Sequence, residues 1–309
     1  MKWLGFLFLI LGVLIGATAA AVVLKAHPMS YVAKVLSAEE EYIGGDDADI
    51  TKEHMRLETE AATSSAIITG GSSRASATSS LRSVRVPVLV YHSVRLHIKG
   101  ESKLQDAYDI TPELLEQELV YMNANGYHAV SFADVNRYFD DGTPLPSKPV
   151  ILTFDDGWRN QYEHALPVLL KYNTKATFFV YTNPIDHKKA HWLSWEEVKA
   201  LDKMGMEIGG HSRTHPVLTK ITTPKGLDKE IAGGKKILES HLGHPVNVFA
   251  YPFGMYNEAV VAAVKRAGYT SARTVYAGVW DDPEHRYDIH GTISGDKWSD
   301  FLRALTRGY

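Results

Sequence analysis

From Val84 onward, short apolar runs alternate with helix-patterned segments, and that alternation limits the fold more than any other feature of this chain. The first run, Val84 to His92, is strand-like with a polar end. Helical periodicity from Pro112 to Asn125 (Leu114, Leu115, Leu119, Met122) leads to a strand at Tyr127 to Ser131, and a helix near Phe132 to Phe139 leads to Val150 to Phe154. The same pairing recurs as helix Gln161 to Tyr172 with Ala176 to Val180, Trp195 to Met204 with Glu207 to Gly209, and Leu227 to Leu242 with Val246 to Ala250. It ends with Glu258 to Ala267 before Tyr269 to Arg273, a strand-like run from Tyr287 to Ile293 and a last helix, Lys297 to Thr306. Strands that alternate with helices build a parallel sheet, and this many units in residues 84–309 predict an α/β fold closed as a barrel.

The residues ahead of that domain have a different character. Lys2 precedes an uncharged apolar run from Trp3 to Leu24, long enough to span a hydrocarbon core of roughly 30 Å at about 1.5 Å per residue. Residues 1–25 therefore read as a signal anchor or, with Ala17-Thr18-Ala19 resembling a cleavage site, as a signal peptide. Either reading puts the remainder outside the cytoplasm, with Lys2 as the positive inner flank. Residues 26–83 turn acidic (Glu39 to Glu41, Asp46, Asp47) and then small and polar, a composition too poor in apolar surface to fold, and are read as a flexible tether.

Composition narrows the chemistry. The net charge of −3, without a long basic run, gives nucleic acid no electrostatic footprint. The chain has no Cys, so disulfides, thiolate ligands and a Cys nucleophile are excluded, which leaves His, Asp and Glu as the strong metal ligands.

Barrel active sites form at the C-terminal ends of strands, and the reactive residues of this chain gather there. Asp155 and Asp156 follow the strand that ends at Phe154. His211 and His215, four residues apart, follow the strand near Gly209, and Tyr251-Pro252-Phe253-Gly254 follows the strand that ends at Ala250. Two adjacent carboxylates and two imidazoles are the parts of a metal site with one carboxylate left over for acid/base work. Taken singly, Asp-Asp-Gly suits a turn. Gly210-His211-Ser212-Arg213-Thr214 is not a nucleophile elbow, because Thr214 stands where that motif needs Gly.

These residues resemble the NodB-type polysaccharide deacetylases, carbohydrate esterase family four. The resemblance runs from Val86 to Ile293 and rests on Thr153-Phe154-Asp155-Asp156-Gly157, His211-Ser212-Arg213-Thr214-His215, Tyr91-His92-Ser93-Val94 and Phe249 to Gly254, the last two as in exported poly-N-acetylglucosamine deacetylases. It implies a distorted (β/α) barrel of seven strands and removal of N-acetyl or O-acetyl groups from sugars, and the leading expectation within it is a metal-dependent hydrolase that removes N-acetyl groups from an N-acetylglucosamine polymer. Poly-β-1,6-N-acetylglucosamine is the favoured substrate, with peptidoglycan or chitin-like chains as alternatives. It also implies Asp155 as general base, and Asp156, His211 and His215 as ligands of Zn²⁺, with Co²⁺ or Ni²⁺ suited to the same donors. The backbone N–H of Phe253 is then the oxyanion donor, and His290, in a looser match at Asp288-Ile289-His290, the acid for the departing amine.

Ala250 departs from the pattern, standing where many members carry an Arg that pairs with the catalytic Asp. That departure and the loose late match at His290 motivate an alternative, a catalytically inactive carbohydrate-binding module on the same barrel. A two-metal phosphoesterase is disfavoured for want of further ligands. His92 reads as a pocket-lining candidate, Trp280-Asp281 and Trp298 as candidates to stack on a sugar or to pack, and Ser194 as the N-cap of the helix that starts at Trp195.

Overall fold

Val86–Tyr91 and Pro149–Phe154 are apolar but for Thr153 and the Tyr91 hydroxyl and are buried at every position, as strands covered on both faces must be. They are two members of a sheet in the computed structural model, which describes residues 84–97, 108–280 and 282–307. The elements in order are β1 (Val86–Tyr91), β2 (Ser93–Val94), β3 (Asp109–Ile110), α1 (Pro112–Ala124), β4 (His128–Ala129), α2 (Phe132–Asp141), β5 (Pro149–Phe154), α3 (Leu166–Lys171), β6 (Thr177–Val180), α4 (Asn183–Asp186) and α5 (Trp195–Lys203). Next come β7 (Glu207–Gly210), α6 (Pro224–Leu242), β8 (Val248–Ala250), α7 (Glu258–Arg266), β9 (Ser271–Thr274), β10 (Val279–Trp280), β11 (Ile289–His290), β12 (Thr292–Ile293) and α8 (Trp298–Thr306). The expected anchor at 1–25 and tether at 26–83 lie outside the described residues. No described helix is long and apolar enough to cross a membrane.

The sheet order is β10-β1-β5-β6-β7-β8-β9-β11, parallel from β1 to β11. Residues 289–293 reach both edges: Ile289 and His290 pair with Arg273 and Thr274, while Thr292 and Ile293 pair with Leu89 and Val90. The sheet is thus a nearly closed barrel. Between those pairings, a Cβ on Gly291 would stand 2.7 Å from Val90 Cγ2 and 2.8 Å from Arg273 Cδ, so only glycine lets the segment cross there.

The path holds eight strands where seven were expected. The additional one is β10, which runs antiparallel to β1 (Val86↔Trp280) and belongs to no βα unit. The expected strand at Tyr127 to Ser131 shrinks to β4, paired with the start of β5 and off the main path. The expected helix at Gln161 to Tyr172 also divides. Its first turn, Gln161–Ala165, is π-helical, with Leu166 N–H reaching the carbonyl of Gln161, and α3 follows. Pro167 has no N–H to continue a regular ladder from that turn.

Side chains alternate with period two along the strands. Val88, Ile151, Phe179, Val248, Ala250, Ile289 and Trp280 form one core inside the barrel, where Phe132 and Val135 of α2 join them. Leu89, Leu152, Phe178, Val180, Phe249 and Ala272 face outward into a second core under the helices.

In that outer layer Glu118 of α1 is fully buried, accepts from the Tyr91 hydroxyl at 2.8 Å and lies 3.5 Å from Ser294 Oγ. Burial pushes its carboxyl from 4.5 up to about 8, against the lowering effect of both hydrogen bonds. Folding then takes up a proton between those values, so this contribution to stability is complete below the unfolded value and is lost as pH rises through the folded one. Glu118→Gln, neutral throughout, is expected to gain on the wild type by roughly 5 °C in Tm between pH 5 and pH 8. A Tm difference that stays constant over that range contradicts the assignment.

Candidate metal centre

Asp155 and Asp156 leave β5 at the C-terminal rim of the barrel. The turn is tied down from behind: Asp155 N–H donates to the carbonyl of Tyr91 at 2.9 Å, and the buried Gln161 amide donates to the carbonyls of Asp155 and His92. Asp156 adopts a left-handed φ of 74°, a conformation Asp tolerates better than most residues. Its Oδ2 accepts from Trp158 Nε1 at 3.0 Å, and Trp158 stacks on Trp192 with ring centroids 4.7 Å apart.

His211 follows β7 and is fully buried. Its Nδ1 lies 2.8 Å from the carbonyl of Ala250. A carbonyl can only accept, so the proton sits on Nδ1 and the Nε2 lone pair faces the site, as metal-binding imidazoles are usually arranged. His211 Nε2 and His215 Nε2 are 3.0 Å apart, and Asp156 Oδ1 lies 3.6 Å and 3.7 Å from them. Two donors, each about 2 Å from one ion, can stand at most about 4 Å apart, so these three atoms fit a single tetrahedral cation. Among the described residues this is the one group of three or more His, Cys, Asp or Glu side chains so arranged.

Asp155 takes a different partner. Both of its carboxylate oxygens accept from Nη2 of Arg273, and both side chains are buried. Arg273 lies on β9 in register with Ala250, and its guanidinium sits 5.1 Å from the centre of the Phe179 ring inside the barrel. The arginine that Ala250 lacks is therefore supplied by the neighbouring strand at the same level. A pair this deep stands only with both members present, since either charge alone would be costly to bury.

The remaining candidates divide. Phe253 belongs to the buried turn Pro252–Gly254, has a left-handed φ of 59° and sets its ring edge-on to His215 with centroids 4.6 Å apart. That brings the expected oxyanion turn beside the candidate ligand His215. His290 is not brought there by its described contacts. It falls on β11 between Ile289 and Gly291, which face the barrel interior, and its ring neighbour is Tyr276 at 6.4 Å.

His92 is buried against Tyr108, ring centroids 5.0 Å apart. Trp280 is wholly enclosed against Phe132 and Phe139, and its Nε1 donates to the carbonyl of Asp282, so it packs and offers no face to a sugar. Asp281 lies outside the described residues. Trp298 is partly exposed and packs on Tyr121 and Phe301. Ser194 caps α5 as expected, in a reciprocal capping box with Glu197.

Sequence reasoning missed Arg273, Trp158 and Gln161. A signal existed for the first: an Arg amid the small and apolar run Ser271 to Val275 needs a buried carboxylate if that run is a core strand.

Residues 142–272 match the family model described as polysaccharide deacetylase. YxkH of Bacillus subtilis, provisionally named a polysaccharide deacetylase, is 29% identical over 226 residues, covering 72% of this chain and 77% of the relative. The poly-β-1,6-N-acetyl-D-glucosamine N-deacetylase of Staphylococcus epidermidis is 27% identical over 199 residues, covering 58% of this chain and 68% of the relative. Among solved structures, the Streptococcus pyogenes deacetylase PplD in complex with acetate superposes with a TM-score of 0.66 at 26% identity, over 72% of this chain and 99% of that one. The matched segment holds Asp155, Asp156, His211 and His215 on the barrel rim that the fold builds, and by motif, sequence and fold alike the chain is similar to the polysaccharide deacetylases.

Proposed function

We propose that this protein is a metal-dependent hydrolase that removes N-acetyl groups from an extracytoplasmic N-acetylglucosamine polymer, with poly-β-1,6-N-acetylglucosamine the preferred chain. The observation that carries the reading is the convergence of Asp156, His211 and His215 on one point, with Asp155 held separately by Arg273. A bound divalent ion, Zn²⁺ by default with Co²⁺ or Ni²⁺ suited to the same donors, would make water acidic near neutral pH and polarise the acetyl carbonyl.

The residues of the chain do the rest. Asp156, His211 and His215 would hold the ion, and the carbonyl of Ala250 keeps His211 in the tautomer that can do so. Asp155 accepts the proton of the attacking water. A carboxylate has about four lone-pair sites, so the contacts from Arg273 orient the group and leave room for a proton. The backbone N–H of Phe253 is placed to stabilise the oxygen that gains charge as the carbonyl is attacked. The departing amine needs a proton, and Asp155 has just acquired one; His290 is the second candidate donor. Arg273 also answers one of the two motives for an inactive module, since Asp155 is held despite Ala250; the loose match at His290 is left to the test below.

The linkage preference is supported by the Staphylococcus epidermidis relative, whose name specifies the β-1,6 polymer. The location, anchored in or released from the membrane, is supported by the apolar run Trp3 to Leu24. The full chain is expected to release acetate at least tenfold faster from β-1,6-linked than from β-1,4-linked N-acetylglucosamine oligomers. Equal or reversed rates would overturn the linkage, and tight binding of both oligomers without acetate release would overturn the reaction in favour of the binding module. In intact cells a C-terminal tag should be open to external protease; protection would overturn the location.

A further inference from the structure

We propose that Glu230, on α6, is a positioning residue for the metal centre: acting through Thr214, it fixes the turn that carries His215 and so sets the affinity for the ion. The inference rests on the metal reading above. His211 is anchored twice on its own account, by its N–H to the carbonyl of Val180 at 3.1 Å and by its Nδ1 to Ala250. His215 sits at the far end of a turn that contains two left-handed non-glycine residues, Ser212 at φ 65° and His215 itself at φ 57°. Such a turn is costly and keeps its shape only where its surroundings impose it.

The restraint comes largely from α6. Glu230 is 8% exposed and lies on the buried stripe of that helix with Leu227, Ile231, Gly234 and Leu238. Its Oε2 accepts from Thr214 N–H at 2.8 Å and from Thr214 Oγ1 at 3.0 Å. One helical turn further on, a Cβ at Gly234 would fall 2.9 Å from the carbonyl carbon and oxygen of Ser212 and 3.2 Å from Arg213 N. Those are backbone atoms, which cannot swing aside, so the helix rests directly on the turn. From the other side the N–H of Asn183 donates to the carbonyl of Arg213 at 2.9 Å, and within the turn Ser212 Oγ accepts from His215 N–H at 2.9 Å. Glu230 is the one charged side chain in this set, and its two hydrogen bonds end on the residue immediately before the ligand. Deprived of them, the turn keeps its backbone seat on Gly234 but loses the contact that sets the pitch of His215 relative to His211.

The test is a titration of the full, metal-stripped chain with Co²⁺, followed by visible absorption, for the wild type, Glu230→Ala, Glu230→Gln and Thr214→Val. Glu230→Ala is expected to raise the Co²⁺ dissociation constant 10- to 100-fold, the range typical of groups that orient metal ligands. Glu230→Gln, which keeps a carbonyl acceptor, should stay within about threefold of the wild type. Thr214→Val, which loses the hydroxyl contact alone, should fall between them. A Glu230→Ala protein with a lowered Tm and an unchanged dissociation constant would show a merely structural role and overturn the proposal. If Glu230→Ala does not fold, Thr214→Val decides, and an unchanged constant there overturns it equally. No Co²⁺ binding by the wild type would overturn the metal reading itself and this inference with it, whereas equal binding by the wild type and Glu230→Ala overturns the inference alone.

Discussion

Arg273→Met is expected to abolish most acetate release, at least roughly 100-fold in kcat/KM, and to lower stability by about 3–5 kcal/mol. Both losses have one cause. The substitution leaves the carboxylate of Asp155 buried beside an apolar side chain, uncompensated and free to turn away from the metal ligands. The double variant Arg273→Met/Asp155→Asn separates the two effects: stability should recover most of the loss, because the unpaired charge is gone, while activity stays absent. Denaturant unfolding and acetate release on the same four proteins complete the cycle. Arg273→Met with activity within tenfold of the wild type would show that Asp155 is oriented by something other than this pair.

The second large effect concerns the proposed base. Asp155→Asn keeps the shape of the side chain and removes its ability to take a proton, so kcat should fall by a factor of 10² to 10⁴. Binding of the ion, which does not involve Asp155, should remain within a few-fold. His290→Gln is the natural companion. Its position on β11, out of step with the interior-facing Ile289 and Gly291, predicts a loss below tenfold. A loss for His290→Gln as large as that for Asp155→Asn would assign the proton of the departing amine to His290 and leave Asp155 the single task of activating water.

Much of this was open to reading from residue patterns, for identifiable reasons. The barrel strands Val86–Tyr91, Pro149–Phe154 and Thr177–Val180 are apolar runs broken only by Thr153 and Thr177, because both of their faces are covered, and such runs stand out against helix periodicity. Asp155, Asp156, His211 and His215 sit beside strand ends, so locating the strands located them. What escaped detection depends on contacts between distant segments. The Asp155–Arg273 pair joins residues 118 positions apart, and nothing local to either names the other. The two-residue strands β10, β11 and β12 are too short to show a period, and their pairing is imposed by the edges they meet. Glu230 was hidden for a further reason. On α6 it occupies the stripe marked by Leu227, Ile231 and Leu238, where an isolated Glu reads as an interruption of the apolar face when it is in fact buried against Thr214.

Removal and return of the metal tests the central claim most directly. The full chain, stripped with chelator and assayed for acetate release from β-1,6-linked N-acetylglucosamine oligomers, should be inactive and should regain activity in proportion to added Zn²⁺ or Co²⁺ up to one ion per chain. Asp156→Asn, His211→Gln and His215→Gln should each fail to regain it at that stoichiometry. Undiminished activity in the stripped wild type, or full recovery in all three ligand variants, would contradict a hydrolytic metal centre built by Asp156, His211 and His215.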